Sequence, residues 1–431
     1  MAAIITSKFR FLQAGAFRQS FDPGASTKIY LGVSKPTPWA DELNPLAPAD
    51  STSFNNSDIA EWLAAKRINI SDTTFCFPRV NWTSGTIYDM YDDAVEDLFS
   101  LNFVVMNEGK IYKCLSRPTG TASTIPPTGT STGYPTTLAD GYKWKYMFTV
   151  PAANAARFMT NLWIPINLIT SDPADGSNQW GVQSAAIAGT VDRAVVSSGG
   201  SGFGPSPTVT ITGNGTGATA SATVVSGAVE SITITNPGSG YTWATISVAG
   251  GTGFSGRVVL APQGGHGSNA QQELGGFYVM VNGILNYNES GKLTRFNDYR
   301  KIFLIQNPTL FSTSTIATDP VYNCTTNLVF STSSGTFTGD ELVTGGTSGA
   351  TARVVEWNNA AKNLSLVDVK GTFTIGETVT GGSSAATANS LTTITQPELD
   401  PNQGNIIYKD YRRYVGRDPS QSENLIIVVA F

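Results

Sequence analysis

The chain has 431 residues, a formal net charge of −5 and 14% charged residues, against about 25% in ordinary soluble proteins. It contains no run of Lys or Arg, which argues against a nucleic-acid-binding protein. Its 44 Gly residues, together with many Ser and Thr, are typical of β-structure with frequent turns.

No segment reaches the ~18 consecutive apolar residues of a membrane span, and the start "MAAIITSKFRF" lacks the pattern of a signal peptide. The cysteines Cys76, Cys114 and Cys324 have neither metal-ligand nor disulfide spacing. We therefore expect buried, reduced thiols in a protein made in a cytoplasm, with no membrane partner.

The amino-terminal part mixes strands, loops and one helix. "TKIYLGV" (27–33) predicts a strand, and "SKPTPWADELNP" (34–45) predicts a loop stiffened by Pro. "NSDIAEWLAAKRI" is the best helix candidate in the chain, because Asp58 can cap its amino end with Glu61 three residues on.

A hairpin and an aromatic strand follow. Residues 101–115 predict two strands around Asn107, Glu108 and Gly109. "PAANAARFM" predicts a short helix that begins at Pro151.

Between these elements, alternate positions of "TLADGYKWKYMFTVP" are aromatic. In a strand they share one face, and Lys143 and Lys145 lie on the other, so charge and aromatic surface do not coincide. We therefore favour a core wall over a stacking platform. The predicted core signature is Tyr142, Trp144, Tyr146 and Phe148.

Two pairs of internal repeats appear after residue 190. In the first pair, Gly202-Phe203 corresponds to Gly240-Tyr241, and "GTG" turns occur at 215 and 251. In the second pair, segments that begin at Gly335 and Gly371 are identical at 13 of 21 positions. Both pairs predict short strands separated by Gly turns.

The run "NLIIVVAF" (424–431) predicts an interior strand of the main sheet, buried on both faces. The predicted fold is mainly β: a β-sandwich-like core domain, a second β-rich α+β domain and two small inserted all-β repeat modules. The domain order is core domain, first part (1–95); second domain with the aromatic strand (96–190); first inserted module (191–262); return to the core (263–311); second inserted module (312–397); closing core strands (398–431).

Catalytic and cofactor patterns are weak. His266 is the single histidine, in a Gly-rich loop, and is interpreted as a solvated residue. "GTGFSG" (251–256), with Glu273 downstream, matches a dinucleotide-binding pattern, but a strand is predicted where that site needs a helix. We expect no catalytic residue, no metal and no cofactor.

An acidic cluster lies in "YDMYDDAVEDLF". A solvated face is the favoured interpretation, while a calcium site and a catalytic carboxylate pair stay open. The cluster comprises Asp89, Asp92, Asp93, Glu96 and Asp97.

Several stretches, in order and spacing, resemble the baseplate wedge protein of T-even-like contractile bacteriophage tails, the wedge component numbered eight. The resemblance covers the first ~190 residues, then about 275–311 and 400–431. The repeat blocks have no counterpart in the smaller family members, and the segment 101–140 is short. The stretches are "IITSKFR" (4–10), "IYLGVSKPTPWAD" (29–41), "IYKCL" (111–115), "DGYKWKYMFTVP" (140–151), "IFLIQNP" (302–308) and "NLIIVVAF" (424–431).

The resemblance implies a structural virion protein of the tail baseplate, assembled in the host cytoplasm. It implies a homodimer in each wedge, with other wedge proteins and tail fibre or pin proteins as neighbours. Exposed-looking aromatic residues are the predicted interface residues: Phe9, Phe11, Trp39, Tyr241 and Trp243.

Two other function classes stay open. The inserted repeats could form a carbohydrate- or receptor-binding tail module that presents Tyr241, Trp243 and Trp357 to glycans. Alternatively, the 89–97 carboxylates could serve a tail-spike-like glycoside hydrolase.

Overall fold

A computed structural model describes residues 4–174, 178–293, 298–418 and 420–431. Strands hold 44% of the residues and helices 12%, well above the 20–25% strand content of an average globular domain. The predicted mainly β fold class is therefore confirmed.

The described helices are α1 (Ser7–Gln19), α2 (Thr52–Ala60), α3 (Ala152–Phe158), α4 (Asn178–Ser184) and α5 (Ala270–Glu273). The described strands are β1 (Ile29–Ser34), β2 (Trp62–Arg67), β3 (Thr73–Pro78), β4 (Val104–Asn107), β5 (Lys110–Ser116), β6 (Lys143–Thr149), β7 (Trp163–Ile166), β8 (Val191–Ser201), β9 (Val209–Gly213), β10 (Thr216–Val225), β11 (Ala228–Ser239), β12 (Ala244–Val248), β13 (Thr252–Leu260), β14 (Tyr278–Asn286), β15 (Asp298–Gln306), β16 (Val321–Asn323), β17 (Thr326–Ser334), β18 (Leu342–Gly345), β19 (Thr351–Asn358), β20 (Asn363–Lys370), β21 (Val379–Gly381), β22 (Thr387–Thr395), β23 (Asn405–Gly416) and β24 (Ser422–Ala430).

The chain divides into two compact units. One comprises Met1–Gly15, Thr74–Met280 and Val428–Phe431, and the other comprises Ala16–Thr73 and Val281–Ile427.

The second of these units contains an antiparallel sheet in the order β16-β2-β1-β15-β23. The rings of Trp62 and Phe303 stack with centroids 5.3 Å apart. Both rings lie against Gly32, where a Cβ atom would overlap them. A glycine is therefore required at the centre of β1, and the predicted strand at 27–33 is confirmed.

The helix predicted from Asp58 onward is wrong in its placement. The helix instead begins after Ser51, whose hydroxyl accepts a hydrogen bond from the Phe54 amide, and it ends at Ala60. The chain then continues as β2, between β1 and β16. Sheet pairing and burial of the residues from Trp62 onward override the helical propensity of "WLAAKR".

The closing run is also not an interior strand. It forms β24, at the edge of the described sheet β24-β14-β3-β7. Leu425 and Ile427 are buried, whereas Asn424 is exposed and Ile426 is partly exposed. An apolar run thus forms a strand whose second face is only partly covered.

The hairpin and the short helix agree with the sequence. Strands β4 and β5 pair around Glu108 and Gly109, both of which have positive φ. Helix α3 starts directly after Pro151.

The first repeat pair (191–262) forms three two-stranded ribbons, β8/β13, β9/β12 and β10/β11. Packing of β8 on β11, β9 on β10 and β12 on β13 joins the ribbons into a ring around an apolar core. The Phe203 ring covers Gly251 and the Tyr241 ring covers Gly215, so each repeat fills a gap left by the other.

The second repeat pair (335–391) contributes most of a closed barrel, β17-β20-β19-β18-β21-β22. Glu341 accepts a hydrogen bond from the backbone N–H of Ser384 at 3.0 Å. Glu377 accepts the corresponding bond from Ser348, also at 3.0 Å. Since both pairs are related by the 36-residue repeat offset, the repeats stabilise each other's turns reciprocally.

Candidate functional site

The aromatic row is buried. Tyr142, Trp144 and Tyr146 belong to one core cluster, in which the rings of Tyr142 and Trp144 stack at 5.6 Å. Phe148 is also fully buried, beyond a bulge in the pairing of β5 with β6. The row therefore forms part of the core, and Trp144 and Tyr146 also border a cavity of about 120 Å³.

On the basic side of the same strand, Lys145 is held by internal hydrogen bonds. It is buried, and its Nζ donates to the carbonyls of Thr132 (2.7 Å) and Gly133 (2.8 Å). Burial lowers the pKa of Lys145 to about 8, although the Glu273 carboxylate opposes this shift. The Lys145 ammonium is therefore committed to partners within the chain.

The interpretation of His266 as a solvated residue is wrong. His266 is buried and hydrogen-bonds to Asp192 through Nε2, while its Nδ1 lies 3.9 Å from Glu273. Glu273 pairs with the fully buried Lys113 and also accepts a hydrogen bond from the amide of Gly267 at 2.8 Å. The Gly-rich sequence had indicated a solvated loop. In the structure, Gly267 instead places its backbone N–H close to the buried Glu273 carboxylate.

The surroundings of this buried ionic cluster shift the ionisation of its histidine. Burial, followed by the Lys113 ammonium, lowers the pKa of His266 below its ordinary value despite the nearby Asp192 and Glu273 carboxylates. The imidazole also contacts the ring of Tyr91 edge-on, with the ring centroids 4.9 Å apart. The cluster fixes β8, through Asp192, to β5, through Lys113.

The acidic cluster is only partly a solvated face. Asp92 is buried and accepts from Arg193 (2.8 Å) and Arg257 (2.6 Å). Burial raises the pKa of Asp92, but the bonds from Arg257, the Ala94 amide and Arg193 outweigh it and lower the pKa to about 2. A catalytic acid needs a raised pKa, so Asp92 is not suited to that role.

The structure also bears on the dinucleotide-binding pattern, on metal ligands and on the cysteines. The glycine pattern at 251–256 lies almost entirely within strand β13 and is not followed by a helix, so no helix amino terminus is available there for a phosphate. Within the described residues no group of three or more His, Cys, Asp or Glu side chains is placed to hold a metal ion. Cys76, Cys114 and Cys324 are all buried and free.

The five predicted interface aromatics differ in exposure. Phe9 and Trp243 are exposed, by 50% and 53%. Phe11 and Tyr241 are buried within the chain. Phe11 packs against the rings of Phe99 and Phe277, at 5.9 and 5.7 Å. Trp39 is half-buried, donates to the carbonyl of Arg412 at 2.8 Å and stacks on Tyr411 at 5.6 Å. Trp357, the other residue considered for glycan contact, packs against the barrel core.

Sequence reasoning missed an exposed apolar stripe at the amino terminus. Ile5 and Leu12 are each 71% exposed, and together with Phe9 they recur at intervals of four and three residues along α1 and the segment just before it. We call Ile5, Phe9 and Leu12 the α1 stripe. Their spacing was visible in "IITSKFRFL", and it places Phe9 and Leu12 on one face of α1.

No protein-family model matches the chain, and no curated protein is significantly similar to it. Within the described residues, no helix is long and apolar enough to span a membrane. The functional assignment therefore depends on the chemistry of the described surfaces and on the sequence resemblance.

Proposed function

We propose that this chain is a structural subunit of a contractile phage tail baseplate wedge. In this role it links neighbouring wedge proteins to the bases of fibres or pins and forms a homodimer within the wedge. The proposal combines the ordered sequence resemblance with an exposed apolar surface, the α1 stripe.

The α1 stripe carries the proposal. Large apolar side chains that are scattered singly on a surface need no explanation, but a contiguous exposed set usually marks an interface. Phe9 and Leu12 lie on the opposite side of α1 from the buried Phe11 and Ala14, and the exposed Ile5 directly precedes the helix. A second protein that packs on the stripe would remove this apolar surface from water.

The charged clusters support a structural role in a different way. Asp92 and Glu273 are each held by cationic side chains from distant segments. Removing one partner of such a pair leaves the other as an uncompensated buried charge. Buried ion pairs that join distant segments of the chain are consistent with a rigid structural subunit.

Immunolabelling of intact virions tests the proposed location. An antibody raised against the exposed loop 42–50 should label the baseplate end of the tail in the phage that encodes this chain. Labelling of the capsid, or absence of the chain from purified virions, would contradict the proposal. An antibody against a known capsid protein of the same phage provides the control.

A further inference from the structure

A cleft of about 480 Å³ lies in the unit that contains the barrel. It is bordered by the barrel strands β17, β19 and β20 and by the segment after β14. Its volume is within the range of small-molecule sites. Most of its lining is polar and uncharged, including Asn288, Asn323, Asn327, Asn363 and Ser365.

Hydrogen bonds fix several of these amides. Asn327 Oδ1 accepts from the Ser365 hydroxyl at 2.6 Å, and its Nδ2 donates to the Thr325 hydroxyl at 3.2 Å. Asn323 Oδ1 accepts from the amide of Thr325 at 2.8 Å. Polar groups held in one orientation in this way lose little conformational entropy when a ligand binds.

One amide in the cleft is incompletely satisfied. The Oδ1 atom of Asn363 is buried and has no hydrogen-bond partner in the described part of the chain. Leaving a buried acceptor unpaired costs about 1–3 kcal/mol. Asn363 therefore contributes an incompletely satisfied amide to the wall of the cleft.

The charge of the lining restricts the ligand class. Glu356 is the charged residue among the described lining residues, and no Lys, Arg or His is among them. Phosphate and other anions need cationic or N–H-rich sites, so they fit poorly. Amide groups donate and accept, as sugar hydroxyls do, and Leu293 and Val329 can contact the C–H face of a sugar ring.

We propose that this cleft binds a neutral carbohydrate of mono- to disaccharide size. The inference goes beyond the baseplate role and does not depend on it. A subunit with this site could contact host or virion glycans, and a chain with this site could also act outside a baseplate.

Saturation-transfer NMR on the full chain tests the cleft. The probes are maltose, lactose, mannobiose and chitobiose, with glucose 6-phosphate as the anionic comparison. The variants are Asn363→Leu, which removes the unpaired acceptor, and Asn288→Ala, in the segment after β14. Asn56→Ala is the matched control, because Asn56 is an exposed asparagine outside the cleft. Thermal unfolding of each variant verifies that it is folded.

At least one neutral sugar should bind, and Asn363→Leu and Asn288→Ala should each weaken binding about tenfold or more, whereas Asn56→Ala should not. Absence of binding by all four neutral sugars would overturn the proposal. Unchanged binding in both cleft variants would place the site elsewhere and also overturn it. Stronger binding of glucose 6-phosphate than of the neutral sugars would refute the ligand class.

Discussion

Glu341 illustrates how buried carboxylates are stabilised at the scale of single residues. Its oxygens accept from the Ser384 amide at 3.0 Å and from the Thr338 amide at 2.7 Å. Burial raises its pKa, but these bonds and those from the Ser384 hydroxyl and the Ser383 amide lower it to about 2. The charged carboxylate is therefore the form that the barrel requires.

We expect Glu341→Gln to destabilise the barrel by about 2 kcal/mol, because it replaces charge-assisted hydrogen bonds with weaker ones. Since the folded pKa lies below the ordinary value of 4.5, this stability is present above pH 4.5 and is lost as the pH falls towards 2. Hydrogen exchange of peptides from 335–391, measured against pH, provides the readout.

Glu230→Gln is the matched control, because Glu230 is exposed and should leave exchange unchanged. If Glu341→Gln exchanged like the unmodified chain at neutral pH, the reciprocal bonding of the repeats would not stabilise the barrel.

Single residues also show where sequence reasoning stopped. The alternation of the aromatic row was enough to predict a core wall, because each ring is large and its strand period is local. His266 could not be placed, because its partners Asp192 and Lys113 are 74 and 153 residues away along the chain. Nothing in a Gly-rich loop indicates which distant carboxylate it will meet.

At the scale of elements, helix α1 has two apolar faces. Phe11 and Ala14 are buried, whereas the α1 stripe faces water. One face therefore stabilises the fold, and the other remains for a partner.

Phe9→Ser combined with Leu12→Ser should abolish binding of the partner that covers the α1 stripe, with little loss of folding stability, because both side chains are exposed. The matched control is Leu162→Ser, since Leu162 is 72% exposed and lies outside α1. Light scattering distinguishes the partner: a lost homodimer identifies a second copy, and a retained dimer that no longer joins wedge proteins identifies a neighbour. Unchanged assembly in both respects would contradict a contact role for the stripe.

Elements were predictable where their signals are local. The hairpin at 101–115 and the helix after Pro151 depend on nearby turn and capping residues. The β2 strand was mistaken for a helix because "WLAAKR" has helical propensity, and only its sheet neighbours β1 and β16 decide its conformation. Likewise, an apolar run does not reveal whether a strand such as β24 lies inside a sheet or at its edge.

At the scale of the whole molecule, the repeats were predictable because their offsets are fixed in the sequence. The way in which each pair of repeats packs into one module was not predictable, because it depends on contacts that each repeat makes with the other. Phe203 fills the space over Gly251 of the other repeat, and Glu377 stabilises Ser348 of its partner repeat. Each module therefore needs both repeats, as expected for units that cannot bury their own core alone.

The most direct test of the baseplate role is the solution mass of the full chain by light scattering, alone and then with purified wedge proteins of the same phage. We expect a dimer, twice the chain mass of 45.6 kDa, that shifts to a larger complex when those proteins are added. A monomer whose mass does not change in their presence would contradict it.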